Sequence, residues 1–235
     1  MKDTAFYNAE SSRYSGKRYP SLARTFTQHF FKERLRLTLI LLTKYLPAQK
    51  NIDALEIGCA DGVVARAVWE AFPGAFTKFD AVDLASQMIE VAKQTNADIP
   101  VHFLVREGST LPGTYACIIE IGVLNYLALE EELNAVSRAL QPRGVYICSI
   151  SGSSSVQTAL KGADDFMHLR SYAQYEEAFA KHFNTLRVVP VGFFVPLLWK
   201  VPASARVLQP LIERALLSLV PNWAHEKIYV LTPKS

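Results

Sequence analysis

The sequence predicts an α/β domain with a doubly wound, mostly parallel sheet and helices on both faces of that sheet. One observation is the alternation of short apolar segments with amphipathic ones through most of the 235 residues. Another is the segment from Tyr115 to Ile121, which is almost continuously apolar, as a parallel strand covered on both faces should be. The third is residues 51–66, where an apolar strand breaks at a glycine-containing turn and restarts as a helix. Sheets of this kind bind ligands at the carboxyl ends of their strands, so this turn is the expected centre of a binding site.

The other elements follow in chain order. Ser21 is expected to cap a helix that ends near Leu46, and the helix after the turn is expected to end before Pro73 and Gly74. Further helices are predicted at 85–95, 130–140 and 172–182, and strands at 76–82, 99–105, 115–121, 145–150, 185–191 and 226–232. With the strand that enters the turn, the predicted sheet has seven strands.

Composition favours one globular domain. The chain is 50% hydrophobic and 20% charged, and a net charge of +3 is too weak to indicate nucleic acid, whereas membrane surfaces and acidic partners stay open. Cys59, Cys117 and Cys148 fall in or beside apolar segments, so buried free thiols are expected rather than a disulfide framework or a zinc site. The first residues lack the apolar core of a signal peptide, so a cytoplasmic protein is expected, and membrane association stays open.

The sequence of the turn after the first strand distinguishes between two classes of ligand. A dinucleotide fingerprint counted from Gly58 requires glycines at two positions that this chain fills with Ala60 and Val63. A nicotinamide-dependent oxidoreductase is therefore the less favoured interpretation. Glu56 stands two residues before Gly58, and Gly62 opens the helix. An acid at this place suits a ligand with an amino group and a sulfonium better than it suits a pyrophosphate.

This turn resembles motif I of the class I S-adenosylmethionine-dependent methyltransferases, in which an acid precedes three closely spaced glycines, with Ala60 in place of the middle glycine. Asp83 ends the second strand about 20 residues after the turn, the spacing at which a carboxylate accepts ribose hydroxyls. Leu140, Pro142 and Gly144, before the fifth strand, match another feature of the family. The resemblance implies a Rossmann-like sheet whose last strand is antiparallel and inserted beside the fifth.

The resemblance also implies that S-adenosylmethionine is the cofactor. Glu107 stands where the family carries the acid that receives the adenine amino group, and Met88 stands where a residue packs near the adenine. Tyr14 and Arg18, in a tyrosine-bearing N-terminal arm, are expected to cover the cofactor, with Arg18 available to its methionine carboxylate. The predicted cofactor-binding residues are Tyr14, Arg18, Glu56, Gly58, Cys59, Ala60, Gly62, Asp83, Leu84, Met88, Glu107, Gly108, Ser109, Glu120, Ile121 and Gly122.

The implied reaction moves the methyl group to a small or amphiphilic acceptor, and a hydroxyl oxygen is the expected acceptor atom. A hydroxyl needs a base or an orienting group. Glu120, Asn125 and Tyr126, at the end of the fourth strand, are candidates for this role, and His168 is another, because an imidazole titrates in the useful range. The alternative that His168 is a surface residue without a catalytic role stays open.

The expected organisation is an N-terminal arm and helix over residues 1–50 and a catalytic domain over 51–235, with a helical insertion at about 192–224. Three interpretations of the insertion stay open: a helical hairpin packed on the core, a lid or membrane-contacting segment, and a homodimer surface. A related fold that binds a ligand without turnover is a further alternative, because fold does not fix function.

Overall fold

The computed structural model describes residues 3–47, 51–106, 109–162 and 167–234. The strands of this part of the chain are β1 (Ile52–Ile57), β2 (Phe76–Asp83), β3 (His102–Val105), β4 (Tyr115–Ile121), β5 (Leu140–Ser151), β6 (Phe183–Val191) and β7 (Glu226–Pro233). They form one sheet in the order β3-β2-β1-β4-β5-β7-β6. Strands β1 to β5 pair in parallel, and β7 pairs antiparallel with both β5 and β6. The predicted seven-stranded, mostly parallel sheet with an inserted antiparallel last strand is confirmed.

Helices cover both faces of the sheet. Those in the described part of the chain are α1 (Asp3–Glu10), α2 (Tyr14–Arg18), α3 (Phe26–Tyr45), α4 (Val63–Ala71), α5 (Ser86–Thr95), α6 (Leu129–Ala139), α7 (Val156–Lys161), α8 (Tyr172–His182) and α9 (Pro202–Leu219). Short 3-10 turns occupy Ser11–Arg13, Leu124–Tyr126, Leu198–Lys200 and Pro221–Trp223.

Two apolar layers hold these helices on the sheet. On one face α3, α4 and α5 bury side chains such as Phe30, Val68 and Ile89 against the sheet. On the other face α6 and α8 bury side chains such as Leu133 and Phe179. Three of the buried residues are the cysteines, which are free thiols as predicted. Because both faces of the central strands are covered, only the strand ends and their loops can hold a polar ligand.

Three elements begin three or more residues away from their predicted starts. Helix α3 begins after Thr25, whose hydroxyl accepts a hydrogen bond from the backbone N–H of Gln28 at 3.3 Å, and not at Ser21. Strand β5 begins at Leu140, because that residue is already extended and residues 141–144, predicted as a turn, continue the strand. Strand β3 begins three residues later than predicted, after the chain completes the turn out of α5.

The segment between β6 and β7 consists of α9 and two 3-10 turns, so it is helical as expected. In the described residues no helix combines the length and the hydropathy that a membrane crossing requires.

Candidate active site

The turn after β1 has a backbone that few side chains allow. Gly58, Ala60 and Gly62 all have positive φ, at 72°, 48° and 82°. A Cβ on Gly58 would lie 2.2 Å from a side-chain carbon of Val123, so glycine is required there on steric grounds as well. The turn therefore brings bare backbone to the end of the sheet, where a ligand can approach it closely.

Asp83 links this turn to the end of β2. Its carboxylate accepts one hydrogen bond from the backbone N–H of Ala60 and one from that of Ala85, each at 2.9 Å. Burial raises the pKa of Asp83, and these backbone donors act in the opposite direction. The carboxylate is thus held at the mouth of the turn with its orientation set by two loops.

A cavity of about 450 Å³ opens beside Asp83, and we call it the cofactor cavity. Its walls come from the ends of β1, β2 and β4, from the start of α5 and α6, and from the N-terminal arm. The predicted site residues in its wall are Tyr14, Gly58, Ala60, Asp83, Leu84, Met88, Ser109, Ile121, Gly122 and Tyr126. The structure thus brings together residues from five separate stretches of the sequence.

The N-terminal arm, residues 3–18, lies over this cavity. The backbone N–H and the hydroxyl of Ser15 both donate to Asp61 in the turn, and the backbone N–H of Gln87 in α5 donates to Asn8 at 3.0 Å. The arm contributes Tyr7 as well as Tyr14 to the cavity wall. Burial raises the pKa of the Tyr14 phenol, which is therefore protonated at neutral pH.

A second cavity of about 300 Å³ lies next to the first, and we call it the acceptor cavity. Tyr7, Tyr14, Gly122 and Tyr126 line both cavities, so the two meet at these residues. The acceptor cavity is also lined by Arg18, Thr27, Phe30, Phe31, Arg34, Asn125, Ser151, Gln157, Thr158, Gly162, Met167, Leu169, His225 and Glu226. Aromatic, hydroxyl and charged groups thus share one enclosed space.

A buried ion pair forms the floor of the acceptor cavity. A terminal nitrogen of Arg34 in α3 donates to both carboxylate oxygens of Glu226 in β7, at 2.9 and 3.1 Å. Ser149 donates to Glu226 at 2.7 Å and accepts from the backbone N–H of Gly122 at 2.9 Å. Burial acts against the charge on Arg34, but Glu226 keeps the pKa of the guanidinium above its usual range. Four elements are tied together at the point where the two cavities meet.

Two further side chains set the charge of this cavity. The guanidinium of Arg18 lies 3.9 Å above the ring of Tyr14, and among the described residues no carboxylate lies within ion-pair distance of it. Burial lowers the pKa of His225, and Arg34 and Lys161 lower it further while Glu226 opposes them. With a neutral His225, the charged groups of the wall are two guanidiniums and one carboxylate.

Several predicted site residues lie outside the walls of both cavities. Glu56 near the end of β1, and Cys59 and Gly62 in the turn, are buried and line neither cavity. Burial, and secondarily the charges of Asp83 and Asp61, raise the pKa of Glu56 to about 8. Glu107 and Gly108 lie outside the described residues.

Of the proposed catalytic residues, Asn125 and Tyr126 line the acceptor cavity and the other two do not. Glu120 is fully buried, and the hydroxyl of Tyr146 donates a hydrogen bond to its carboxylate. Burial, and secondarily the charge of Glu132, raise the pKa of Glu120 well above the usual range. His168 is outside both walls, although the residues on either side of it line the acceptor cavity.

The side chain of Asn125 is fully engaged by the protein. Its amide nitrogen donates to the carbonyl of Ser151 at 2.9 Å and to the hydroxyl of Tyr175 at 2.8 Å, and its oxygen accepts from the backbone N–H of Ser151 at 2.8 Å. This arrangement fixes the loop after β4 and leaves Asn125 no role as a base.

Sequence reasoning missed Tyr7, Arg34, Asp61, His225 and Glu226. Arg34 did carry a signal, because it occupies a buried position four residues after the core residue Phe30, on the apolar face of α3. An arginine at a core position must have a buried partner. The identity of that partner depends on how β7 inserts into the sheet, which local sequence does not specify.

Comparison with known proteins agrees with this geometry. Residues 54–144 match the family model for a methyltransferase domain. The chain therefore contains a methyltransferase domain. Over 127 residues this chain is 34% identical to malonyl-[acyl-carrier protein] O-methyltransferase of Halalkalibacterium halodurans, covering 50% of this chain and 46% of that protein. Over 139 residues it is 29% identical to the enzyme of the same name from Anoxybacillus flavithermus, covering 58% and 52%.

The chain therefore spans about half the length of the curated relatives it matches. Among solved structures, magnesium protoporphyrin IX methyltransferase from Synechocystis PCC 6803, with S-adenosylhomocysteine bound, aligns with a TM-score of 0.71 and 13% identity, over 99% of this chain and 98% of that one. At this identity the likeness concerns the fold alone.

Proposed function

We propose that this methyltransferase binds S-adenosylmethionine in the cofactor cavity and transfers its methyl group to a carboxylate oxygen of an acid held in the acceptor cavity. The observation that carries the proposal is the meeting of the two cavities at Tyr7, Tyr14, Gly122 and Tyr126. A cofactor and an acceptor in adjoining spaces can bring the reacting atoms into contact without water between them.

The residues of the cofactor cavity fit S-adenosylmethionine. The bare backbone at Gly58 and Ala60 leaves room for the methionine part, because any larger residue at Gly58 would collide with Val123. The buried carboxylate of Asp83 suits the ribose hydroxyls, since it can accept further hydrogen bonds beyond those from the backbone. Leu84 and Met88 supply apolar surface for the adenine ring.

When bound, S-adenosylmethionine supplies a methyl group on a positively charged sulfur. A carboxylate oxygen of the acceptor would attack this methyl group and form a methyl ester. The carbon–sulfur bond would break at the same time and leave S-adenosylhomocysteine with a neutral sulfur. Both reactants lose their charge in this step, so a site that excludes water favours it. The arm provides this exclusion, because Tyr7 and Tyr14 cover the point where the cavities meet.

The charge of the acceptor cavity supports an acid as the acceptor. Arg34 is compensated by Glu226, whereas Arg18 faces the cavity without a carboxylate partner in the described part of the chain. A guanidinium binds a carboxylate strongly and sets its orientation. The curated relatives, named for O-methylation of a malonyl group, also act on an acyl group that carries a free carboxylate.

A hydroxyl acceptor, expected from sequence, is less well supported than a carboxylate. A hydroxyl must lose its proton to a base, and a carboxylate at neutral pH has already lost it. In the wall of the acceptor cavity the carboxylate of Glu226 is occupied by Arg34 and Ser149, and the side chain of Asn125 is occupied by Ser151 and Tyr175. His225 lies in the same wall, and burial lowers its pKa, which makes its imidazole a weaker base than usual.

The cofactor part of the proposal is tested by isothermal titration calorimetry with S-adenosylmethionine, S-adenosylhomocysteine and NAD. Binding of the first two without NAD is the expected result. Binding of NAD alone would revive the nicotinamide interpretation. Binding of the cofactor without methyl transfer to any acid or alcohol in a panel would favour the alternative that this fold binds its ligand and catalyses no reaction.

The acceptor part is tested by Arg18→Gln, with the exposed Arg13→Gln on the same arm as the matched control. Loss of a charged hydrogen-bond donor should raise the KM for carboxylic acids at least about tenfold, with the Kd for S-adenosylmethionine unchanged. The reverse result, a weaker cofactor and an unchanged KM, would assign Arg18 to the methionine carboxylate and contradict its role in acceptor binding.

A further inference from the structure

Helix α9 and its flanking turns expose a group of large apolar side chains, which we call the apolar face. Their exposed fractions run from 43% at Leu208 to 77% at Leu219. The members of the apolar face are Leu197, Val201, Val207, Leu208, Leu211, Leu219 and Trp223. Single exposed apolar residues are normal on a protein surface, but a group concentrated on one helix and its ends marks an interaction site.

The buried side of α9 is more polar than that of an ordinary surface helix. Its buried positions are Ala205, Gln209 and Glu213, spaced four residues apart on the side that faces the protein. At about 100° per residue, Val207 and Leu211 lie on the opposite side of the helix and Leu208 lies at its flank. A surface helix normally buries its apolar side and exposes its polar side.

Hydrogen bonds lock α9 in this orientation. Gln209 donates to the carbonyl of Phe193 at 2.7 Å and to Glu213 at 2.9 Å, and the backbone N–H of Phe193 donates to Glu213 at 3.0 Å. The other oxygen of Glu213 lies 3.1 Å from a ring nitrogen of His29 in α3. Rotating the helix to bury Val207 and Leu211 would break the three contacts that α9 makes with Phe193 and His29, so the outward direction of the apolar face is built into the fold.

The charges around the apolar face have one sign. Lys200 and Arg214 are exposed, and Arg206 is partly exposed while it donates to the carbonyl of Ala23. The segment from 193 to 223 contains a single acid, Glu213, and that acid is buried in the network described above. The surface of this segment is therefore apolar and cationic.

We propose that the apolar face docks on the interfacial layer of a membrane that contains anionic lipids. An amphipathic helix with apolar residues on one side and basic residues around them lies in the plane of such an interface. The leucines and Trp223 enter the boundary of the acyl chains, and Lys200, Arg206 and Arg214 contact lipid phosphates. Two copies of this chain paired through the same face would bring the same cations together, which disfavours a homodimer.

This docking would place the acceptor cavity near the membrane surface. His29, which holds Glu213, adjoins Phe30 in α3, and Phe30 lines the acceptor cavity. An amphiphilic acid partitions into the same interfacial layer, so a docked enzyme would meet its acceptor at a raised local concentration. The docking itself does not depend on the proposed reaction and can be tested without it.

The test is flotation of the full chain with vesicles of phosphatidylcholine alone or with a fraction of phosphatidylglycerol. We expect binding to the anionic vesicles, weaker binding at high salt and little binding to phosphatidylcholine alone. Leu208→Glu with Leu211→Glu should weaken this binding at least about tenfold. Ile40→Glu, at an exposed aliphatic residue on α3, is the matched control and should bind as the wild type does.

A second measurement separates membrane docking from self-association. Brominated lipids should quench the fluorescence of Trp223, and the quenching should disappear in Trp223→Phe. Absence of vesicle binding by a folded wild-type protein would overturn the proposal. A concentration-dependent dimer that Leu211→Glu converts to a monomer, with no lipid quenching, would assign the face to a second copy instead.

Discussion

Ser15 donates two hydrogen bonds to the same carboxylate oxygen of Asp61, one from its backbone N–H at 2.9 Å and one from its hydroxyl. Asp61 belongs to the turn after β1, and Ser15 belongs to the N-terminal arm. This contact therefore attaches the arm to the same turn that borders the cofactor cavity. Through it, the positions of Tyr7 and Tyr14 over the cavity depend on an acid 46 residues away from Ser15.

Replacing Asp61 by Ala should release the arm. Because two hydrogen bonds to a charged group are lost, the affinity for S-adenosylmethionine should fall about tenfold or more, and trypsin should cleave faster after the basic residues of the arm. Calorimetry and limited proteolysis measure the two effects. Glu10→Gln, which breaks only an exposed ion pair with Lys17 on the same arm and keeps every trypsin site, should change neither by more than a small factor. Equal behaviour of the two variants would refute the role given to Asp61.

Asp83→Asn should weaken cofactor binding. The single carbonyl oxygen of asparagine cannot accept from both Ala60 and Ala85 in the geometry of the carboxylate, and it offers less to a ribose hydroxyl. We expect at least about a tenfold rise in the Kd for S-adenosylmethionine and a loss of stability of roughly 1–3 kcal/mol. Glu90→Gln, an exposed acid on α5, is the control. An unchanged Kd in folded Asp83→Asn would remove Asp83 from the cofactor site.

Glu56→Gln should stabilise the protein at neutral and alkaline pH. Burial, with help from Asp83 and Asp61, raises the pKa of Glu56 to about 8 in the folded state, against an ordinary value of 4.5. Between these values the folded state keeps a proton that the unfolded state has lost, so the free energy of unfolding of the wild type falls as pH rises from about 4.5 to about 8. The neutral amide removes this dependence and should gain on the order of a few kcal/mol at pH 8 but little at pH 4.5.

Urea unfolding at a series of pH values measures this difference. Glu70→Gln, at an exposed acid on α4, should run parallel to the wild type over the same range. A Glu56→Gln variant with the pH profile of the wild type would show that Glu56 is ionised in the folded protein.

Gly122→Ala should disturb the ion pair beneath the acceptor cavity. A Cβ at this position would lie 2.3 Å from a terminal nitrogen of Arg34, which would have to leave Glu226. Gly74→Ala is a matched control, because φ is 73° at Gly122 and 74° at Gly74, but the space around Gly74 is open. We expect Gly122→Ala to cost about 1–3 kcal/mol more than Gly74→Ala and to raise the KM of the acceptor. Thermal unfolding and steady-state kinetics distinguish the two variants.

Features set by short stretches of sequence were predictable. The glycine turn, the apolar strands and the acid at the end of β2 each depend on residues within a few positions of one another. The wall of the cofactor cavity accordingly contains most of the residues predicted from them, Asp83 and Met88 among them. Their roles in binding stay predictions. The start of α3 was wrong because Thr25 and Ser21 offer the same capping chemistry, and local sequence does not choose between them.

Features that join distant segments were not predictable. Arg34 and Glu226 are separated by 192 residues, and their pairing follows from the insertion of β7 between β5 and β6. Glu120 was proposed as a base from its place at the end of β4, but alternation along the strand turns its side chain away from both cavities. The inward direction of Gln209 and Glu213 in α9 likewise depends on partners in α3 and after β6.

The arm supplies Tyr7 and Tyr14 to two neighbouring compartments at once. Under the proposed function, lifting the arm would open both compartments in a single movement, and the spent cofactor and the methylated product would leave by one exit. The rate at which the arm opens would then set an upper limit on turnover.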